Sequence, residues 1–329
     1  MMGKNHKIKR GVSLYSYQEE YYLRKMSLED LLAVSADLDI PGIEIIGEQM
    51  IPGYPNVPDS FFDQWHGWMD KFNLTPVCLD MFLYPNRFKG RVLTHEEMVD
   101  SVVADIKFAE RLGCSVVRVQ HNVTTDLLEA LTPYAEQHDM KLGIEIHAPF
   151  HLDHPVEKEF IKTFERIGSP YLGFVLDLGI YTKRFARIIS SRWLRMGMKP
   201  EIAEYIVNAY HDGKMENIGE EVAKLGGTKD DIDAAVLAKY MIYSDPRRVL
   251  DYIQYVFHVH GKFSEMLPDY TDYSIPYEEI IPVLIEGGFE GYIASEYEGN
   301  WYIQDAFEVD SVEQVRRHQM MLKRMLGEA

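Results

Sequence analysis

Short β-branched or aromatic runs alternate with amphipathic helical stretches along nearly the whole chain, and this βαβα order is the strongest constraint on its fold. The runs are 9–17, 42–46, 75–79, 115–121, 141–147, 172–177, 255–261 and 292–296. Eight parallel strands with helices between them predict an α/β fold, a closed (β/α)₈ TIM barrel of roughly 250 residues plus insertions. The 329 residues are read as one domain, 1–329. Helix ends are marked. Ser27-Leu-Glu-Asp30 and Thr94-His-Glu-Glu97 have the form of capping boxes, and Gly113 is a stop. The stretch from Thr182 to about Asp251 is too long for an ordinary barrel connection. It predicts a helical insertion between strands six and seven, over one end of the barrel, acting as a lid or partner surface.

In such a barrel, chemistry gathers at the C-terminal strand ends. Strand five reads Gly143-Ile-Glu145-Ile-His147, and alternation puts Glu145 and His147 on one face. Strand six ends in Asp177, and strand eight ends in Glu296 with Glu298 one step further out. Strand seven reads His258-Val-His260-Gly-Lys262, with all three polar side chains on one face. His258 is expected to be a hydrogen-bonded core histidine. Lys262 is expected to meet a substrate group or to neutralise Glu265, and Glu298 to meet substrate or serve as a rim carboxylate. Three carboxylates cannot converge in a dry pocket without a cation. Glu145, Asp177, His260 and Glu296 therefore predict one divalent ion. Oxygen-rich ligation with one imidazole favours Mn²⁺, with Mg²⁺, Co²⁺ and Zn²⁺ as alternatives.

Charge and cysteines narrow the partners. With 34 basic and 52 acidic residues the net charge is −18, which opposes nucleic acid. No apolar run approaches the roughly 20 residues of a membrane span. The basic start, Met1 to Arg10, lacks an apolar stretch after it, and Cys78 and Cys114 are read as buried, apolar-like residues. Cytoplasmic location is the expectation.

The stretch Tyr277-Glu-Glu-Ile-Ile-Pro-Val-Leu-Ile-Glu-Gly-Gly-Phe-Glu-Gly-Tyr-Ile-Ala-Ser-Glu296 resembles the last helix, turn and strand of the xylose-isomerase-like sugar isomerase/epimerase barrels. Pro41-Gly-Ile-Glu44, Gly143-Ile-Glu145 and His258-Val-His260-Gly-Lys262 resemble the same family. The resemblance implies metal ligation by Glu145, Asp177, His260 and Glu296. Ketose epimerases usually carry a histidine three residues after the strand-six Asp, and this chain has Ile180. His147, the start Gly11-Val-Ser-Leu-Tyr-Ser-Tyr17 and the long stretch after strand six resemble instead the α-subunits of bacterial C-glycoside deglycosidases.

That narrower resemblance implies a small β-sandwich β-subunit as partner in a hetero-oligomer, and a 3-oxo-C-glycoside as substrate. His147 would be the base of an elimination that releases a flavonoid-type aglycone. Tyr15, Tyr17, Phe82, Tyr84 and Tyr181 are candidate aromatic walls, and Tyr17, His121, Lys262 and Glu298 candidate substrate contacts. Two alternatives stand beside it. One is a ketose 3-epimerase, isomerase or inosose-type dehydratase in which Glu145 and Glu296 exchange protons. The other is an inert sugar-binding scaffold subunit.

Overall fold

The computed structural model describes residues 6–328; Met1–Asn5, half of the basic start, and Ala329 lie outside the described residues. Eight parallel strands close into a barrel in chain order: β1 (Lys9–Ser13), β2 (Gly42–Ile46), β3 (Thr75–Asp80), β4 (Val116–Val119), β5 (Lys141–Ile146), β6 (Leu172–Asp177), β7 (Val256–Phe263) and β8 (Tyr292–Tyr297). Each strand is mostly buried because the cylinder presses against helices outside and fills its own interior. Among the described residues no helix is long and apolar enough to cross a membrane.

The capping signals form as the sequence predicts. Ser27 accepts from the Asp30 N–H and starts helix Leu28–Asp37, which buries Leu28, Leu31 and Leu32. Thr94 and Glu97 form the same reciprocal box at the start of His95–Leu112, and Gly113 ends that helix at φ 85°. A left-handed φ there carries no Cβ penalty on glycine.

Four helices lie between β6 and β7: Arg187–Arg195, Pro200–His211, Ile218–Lys224 and Lys229–Ala238. Phe185, Ile202, Ile206, Val222 and Ala235 are buried in a cluster of their own, separate from the barrel's main apolar cluster.

Most strand ends fall within one or two residues of the sequence expectation, but the early ends of β1 and β4 move candidate residues. After Ser13 the chain turns into a 3₁₀ helix, Leu14–Tyr17, so alternation stops four residues early. Tyr17 consequently turns into the core, wholly buried. After Val119 the strand also stops, and His121 lies in the following turn.

Register sets the polar tips at one level. Asp177 pairs with His260 across β6 and β7, and Lys262 pairs with Glu296 across β7 and β8.

Candidate metal centre

One ligand atom from each of Glu145, Asp177, His260 and Glu296 lies within 4.8 Å of every other. All four residues are buried. Imidazole Nδ1 of His260 is 3.0 Å from Glu145 Oε1 and 3.5 Å from Glu296 Oε2. Asp177 Oδ1 accepts the Gly179 N–H at 2.6 Å, which turns Oδ2 toward the cluster. A Cβ at Gly179 would come within 2.9 Å of that Oδ1, so the glycine lets the loop close over the carboxylate.

Lys262 Nζ lies 3.2 Å from Asp177 Oδ2, 3.0 Å from Glu296 Oε2 and 2.8 Å from Glu298 Oε1. Glu265, the alternative partner expected for Lys262, is bound by Arg187. Glu298 is thus a partner of Lys262.

Electrostatics follow from burial. Burial pushes the Glu296 carboxyl up to about 7, helped by Asp177 and Glu298 and opposed by His260 and Lys262. Burial also pushes on Glu145, but Arg118 and His260 overcome it and hold that carboxyl well below the usual range. His260 and Lys262 both bind their protons more tightly than usual: burial disfavours their charge, and the surrounding carboxylates reverse the balance. The cluster therefore draws in positive charge from whatever source can reach it.

This donor set fits a divalent ion. Three carboxylates and one imidazole are hard, mixed O/N donors of the kind taken by Mn²⁺, Mg²⁺ or Zn²⁺. Glu296 Oε2 is buried and makes no hydrogen bond; only the charges of Lys262 at 3.0 Å and His260 at 3.5 Å face it, and the same two groups serve the other carboxylates, which leaves room for a further cation.

Three buried charges behind the ligands were not assigned a role from sequence. Glu44 on β2 places Oε2 2.5 Å from His258 Nε2 and 3.3 Å from His260 Nε2. Arg118 on β4 donates to Asp80 Oδ1 at 3.1 Å, and its Nε is 3.6 Å from Glu145 Oε2. Burial, with Glu44 and Glu145 nearby, pushes Asp80 up to about 8 against the pull of Arg118. His258 is the core histidine expected of it. The findable signal was a lone charge inside a short apolar run, as in Val116-Val-Arg118-Val119.

Above the ligands opens a cavity of about 380 Å³, lined in part by Tyr15, Arg118, His147, Lys262 and Glu298. His147 Nδ1 is 2.9 Å from the Ala148 carbonyl oxygen, which can only accept, so Nδ1 carries the proton and the Nε2 lone pair is left for the cavity.

Three expected contacts are corrected by their surroundings. Tyr17 does not line the cavity; it lies in the core because the first strand ends early. His121 does not line it either. Its Nε2 is 2.6 Å from Glu157 Oε1, and its ring stacks on Phe150 at 4.2 Å, behind His147. Tyr181 is wholly buried and walls nothing. Phe82 does line the cavity, whereas Tyr84 lines a neighbouring hollow.

Known proteins share this architecture. Residues 32–325 match the family model described as the xylose isomerase-like TIM barrel. A 3'-dehydrocarminate deglycosidase alpha subunit from a Microbacterium species is 30% identical over 97% of this chain and 95% of its own length. A C-glycoside deglycosidase alpha subunit from Microbacterium trichothecenolyticum is 30% identical over 93% of this chain and 88% of its own. Among solved structures, a sugar phosphate isomerase/epimerase from Parabacteroides distasonis superposes with a TM-score of 0.57 at 12% identity, covering 99% of this chain and 96% of that one. A xylose isomerase domain protein from Planctomyces limnophilus gives 0.54 at 11% identity, covering 99% of each. The chain belongs to the xylose isomerase-like TIM-barrel family and, within it, to the C-glycoside deglycosidase alpha subunits.

Proposed function

We propose that the protein cleaves the carbon–carbon bond between the sugar and the aglycone of a 3-oxo-C-glycoside by base-catalysed elimination. The observation that carries this reading is the position of His147. It lines the same cavity as the candidate ligands Glu145, Asp177 and Glu296, and its Nδ1–H is fixed on the Ala148 carbonyl, which leaves Nε2 without a proton. A neutral imidazole is a competent base at pH 7.

The residues divide the work as follows. Glu145, Asp177, His260 and Glu296 would hold one divalent ion, Mn²⁺ by expectation. When bound, that ion would act as a Lewis acid toward the sugar ketone. Lys262 and Glu298 orient sugar hydroxyls from the rim. His147 Nε2 takes the C2 proton, α to the ketone. The electron pair forms the C1–C2 double bond, and the C1–aryl bond breaks with its pair going to the aryl carbon. A proton then joins that carbon. Aglycone and an unsaturated anhydro-keto sugar leave, and no water is consumed, so the reaction is a lyase elimination. The relatives' designation as alpha subunits supports a second, smaller subunit, which we expect to be a β-sandwich.

A second reading draws on the opposed proton affinities of Glu296 and Glu145. Such a pair can exchange protons on two faces of one carbon, as an epimerase requires.

The test incubates the purified chain, with and without the product of its genomic neighbour, with a 3-oxo-C-glucoside and Mn²⁺. Free aglycone is expected, and His147→Ala should lose about 10²–10⁴-fold in rate while keeping its metal. Full cleavage by that variant would remove the base assigned here, and a C3-inverted ketose in place of aglycone would favour the epimerase.

A further inference from the structure

Beside the metal cavity lies a larger hollow of about 590 Å³, and Phe82 is the wall common to both. The loops after β2 and β3 build it. Tyr54, Pro55, Phe82, Tyr84 and Pro85 present flat apolar faces, and helix His95–Leu112 closes the side with Ala104 and Asp105. The rings of Phe82 and Tyr84 are 6.2 Å apart and inclined by 28°, a loosely stacked pair that makes the aromatic ledge of the hollow. Tyr84 is 53% exposed, a large aromatic surface left facing water. Polar groups sit at its edge: Asn86, Ser101 and Arg87, whose guanidinium donates to the Ser101 hydroxyl, and the carboxylates Glu48 and Asp105. Asp105 is buried and accepts from the Tyr54 hydroxyl, and Glu48 accepts the Phe82 N–H at 3.2 Å. On the metal side of Phe82, the Arg118 guanidinium stands 4.7 Å from the ring centre.

We propose that this hollow is the aglycone subsite, taking the planar phenolic ring system while the sugar occupies the metal cavity. The inference rests on the reaction assigned above and adds where the leaving half sits. The two cavities differ in the required way. The metal cavity offers Lys262, Glu298, Thr182 and Gln120, which suit the hydroxyls of a sugar. The hollow offers ring faces for stacking and carboxylates that accept phenolic O–H. Joined at Phe82, they let one molecule lie across both, with the sugar–aryl bond at the shared wall. Arg118 then stands beside the departing ring and meets negative charge that develops on a phenol.

Binding separates this proposal from the chemistry. The probe is 5,7-dihydroxyflavone, titrated into the Mn²⁺-loaded full chain and followed by protein fluorescence. Ala104→Trp fills the hollow from an exposed helix position that tolerates bulk. It should weaken flavone binding at least tenfold and leave the Mn²⁺ Kd within twofold. Tyr84→Ala should weaken it in the same direction by removing half the ledge. Unchanged affinity in both variants would put the rings on the opposite wall, by Ile189 and Met241, and overturn the proposal, as would a wild-type chain that binds no flavone. If flavone binds and Ala104→Trp abolishes it, while wild type cleaves no oxidised C-glycoside, the assigned reaction fails and the ring-binding site stands.

Discussion

Replacing Glu44 by glutamine removes one negative charge from behind His260 and changes the shape of the site very little. In the native chain Glu44 faces two imidazoles, His258 at 2.5 Å and His260 at 3.3 Å, and its Oε1 has no other hydrogen-bond partner. His260 turns Nδ1 toward Glu145 and Glu296, so Nε2 must carry the proton if Nδ1 is to ligate. Both contacts fall on one oxygen, Oε2, so glutamine can keep an acceptor there but loses the negative charge that faces the two imidazoles. At 3.3 Å and an effective dielectric near 20, a full carboxylate–imidazolium attraction is about 5 kcal/mol. Most of it cancels, because Glu44 also holds the proton that a metal ion must displace from His260. What remains is the usual effect of a carboxylate behind a ligand histidine: 10–100-fold in affinity, or roughly 1.4–2.7 kcal/mol. Chelator-competition titration of Mn²⁺ at pH 7.5 reads this directly, with His260→Ala as the total-loss control. A Glu44→Gln variant within twofold of wild type, beside a His260→Ala variant that has lost its metal, would refute the reasoning.

Three further outcomes follow from burial and packing. His318 is wholly buried, stacked on Phe263 at 4.3 Å, and burial pushes its pKa down to about 3. The unfolded chain therefore binds the extra proton first, stability falls as pH drops below 6.5, and His318 alone should cost about 3 kcal/mol at pH 4.5. Urea unfolding of wild type and His318→Phe at pH 7.5 and 4.5 should show a shallower acid loss in the variant; parallel losses would contradict it. Asp272 is pushed up to about 7 by burial, against two backbone N–H groups, so its contribution is full below pH 3.8 and is lost as pH rises through 7. Asp272→Asn should thus gain on wild type at pH 8 relative to pH 5, and an equal midpoint difference at both would count against it. At Gly173 an added Cβ would stand 2.3 Å from the Tyr255 carbonyl oxygen, so Gly173→Ala should lower Tm by several degrees, about 1–3 kcal/mol; an unchanged melting curve would mean the strand can shift there.

The barrel and its four candidate ligands were legible because each leaves a local mark. Alternation runs with a period of two, and a carboxylate or histidine ending an apolar run has few structural uses. Pairings between distant strands leave no such mark. Nothing near Glu44 in the sequence indicates His258, and nothing near Arg118 indicates Asp80, because strand register and barrel closure bring them together. The errors have a local cause too. Tyr17 and His121 were placed by extending alternation past Ser13 and Val119, where the backbone leaves the extended conformation. The neighbouring aromatic hollow was half legible: Phe82 and Tyr84 were read as walls, but not that a second space exists, lined by both, with Phe82 shared with the first.

The helices between β6 and β7 pack on a nucleus of their own, yet this stretch also lends Thr182, Ala186, Ile189 and Met241 to the cavity above the candidate ligands. That separation has an evolutionary consequence. Residues on this wall can be exchanged, and the cavity reshaped, at little risk to the strands that carry the four candidate ligands. Selection for a different diet would then leave its record mostly between residues 182 and 251, while the strand tips stay unchanged.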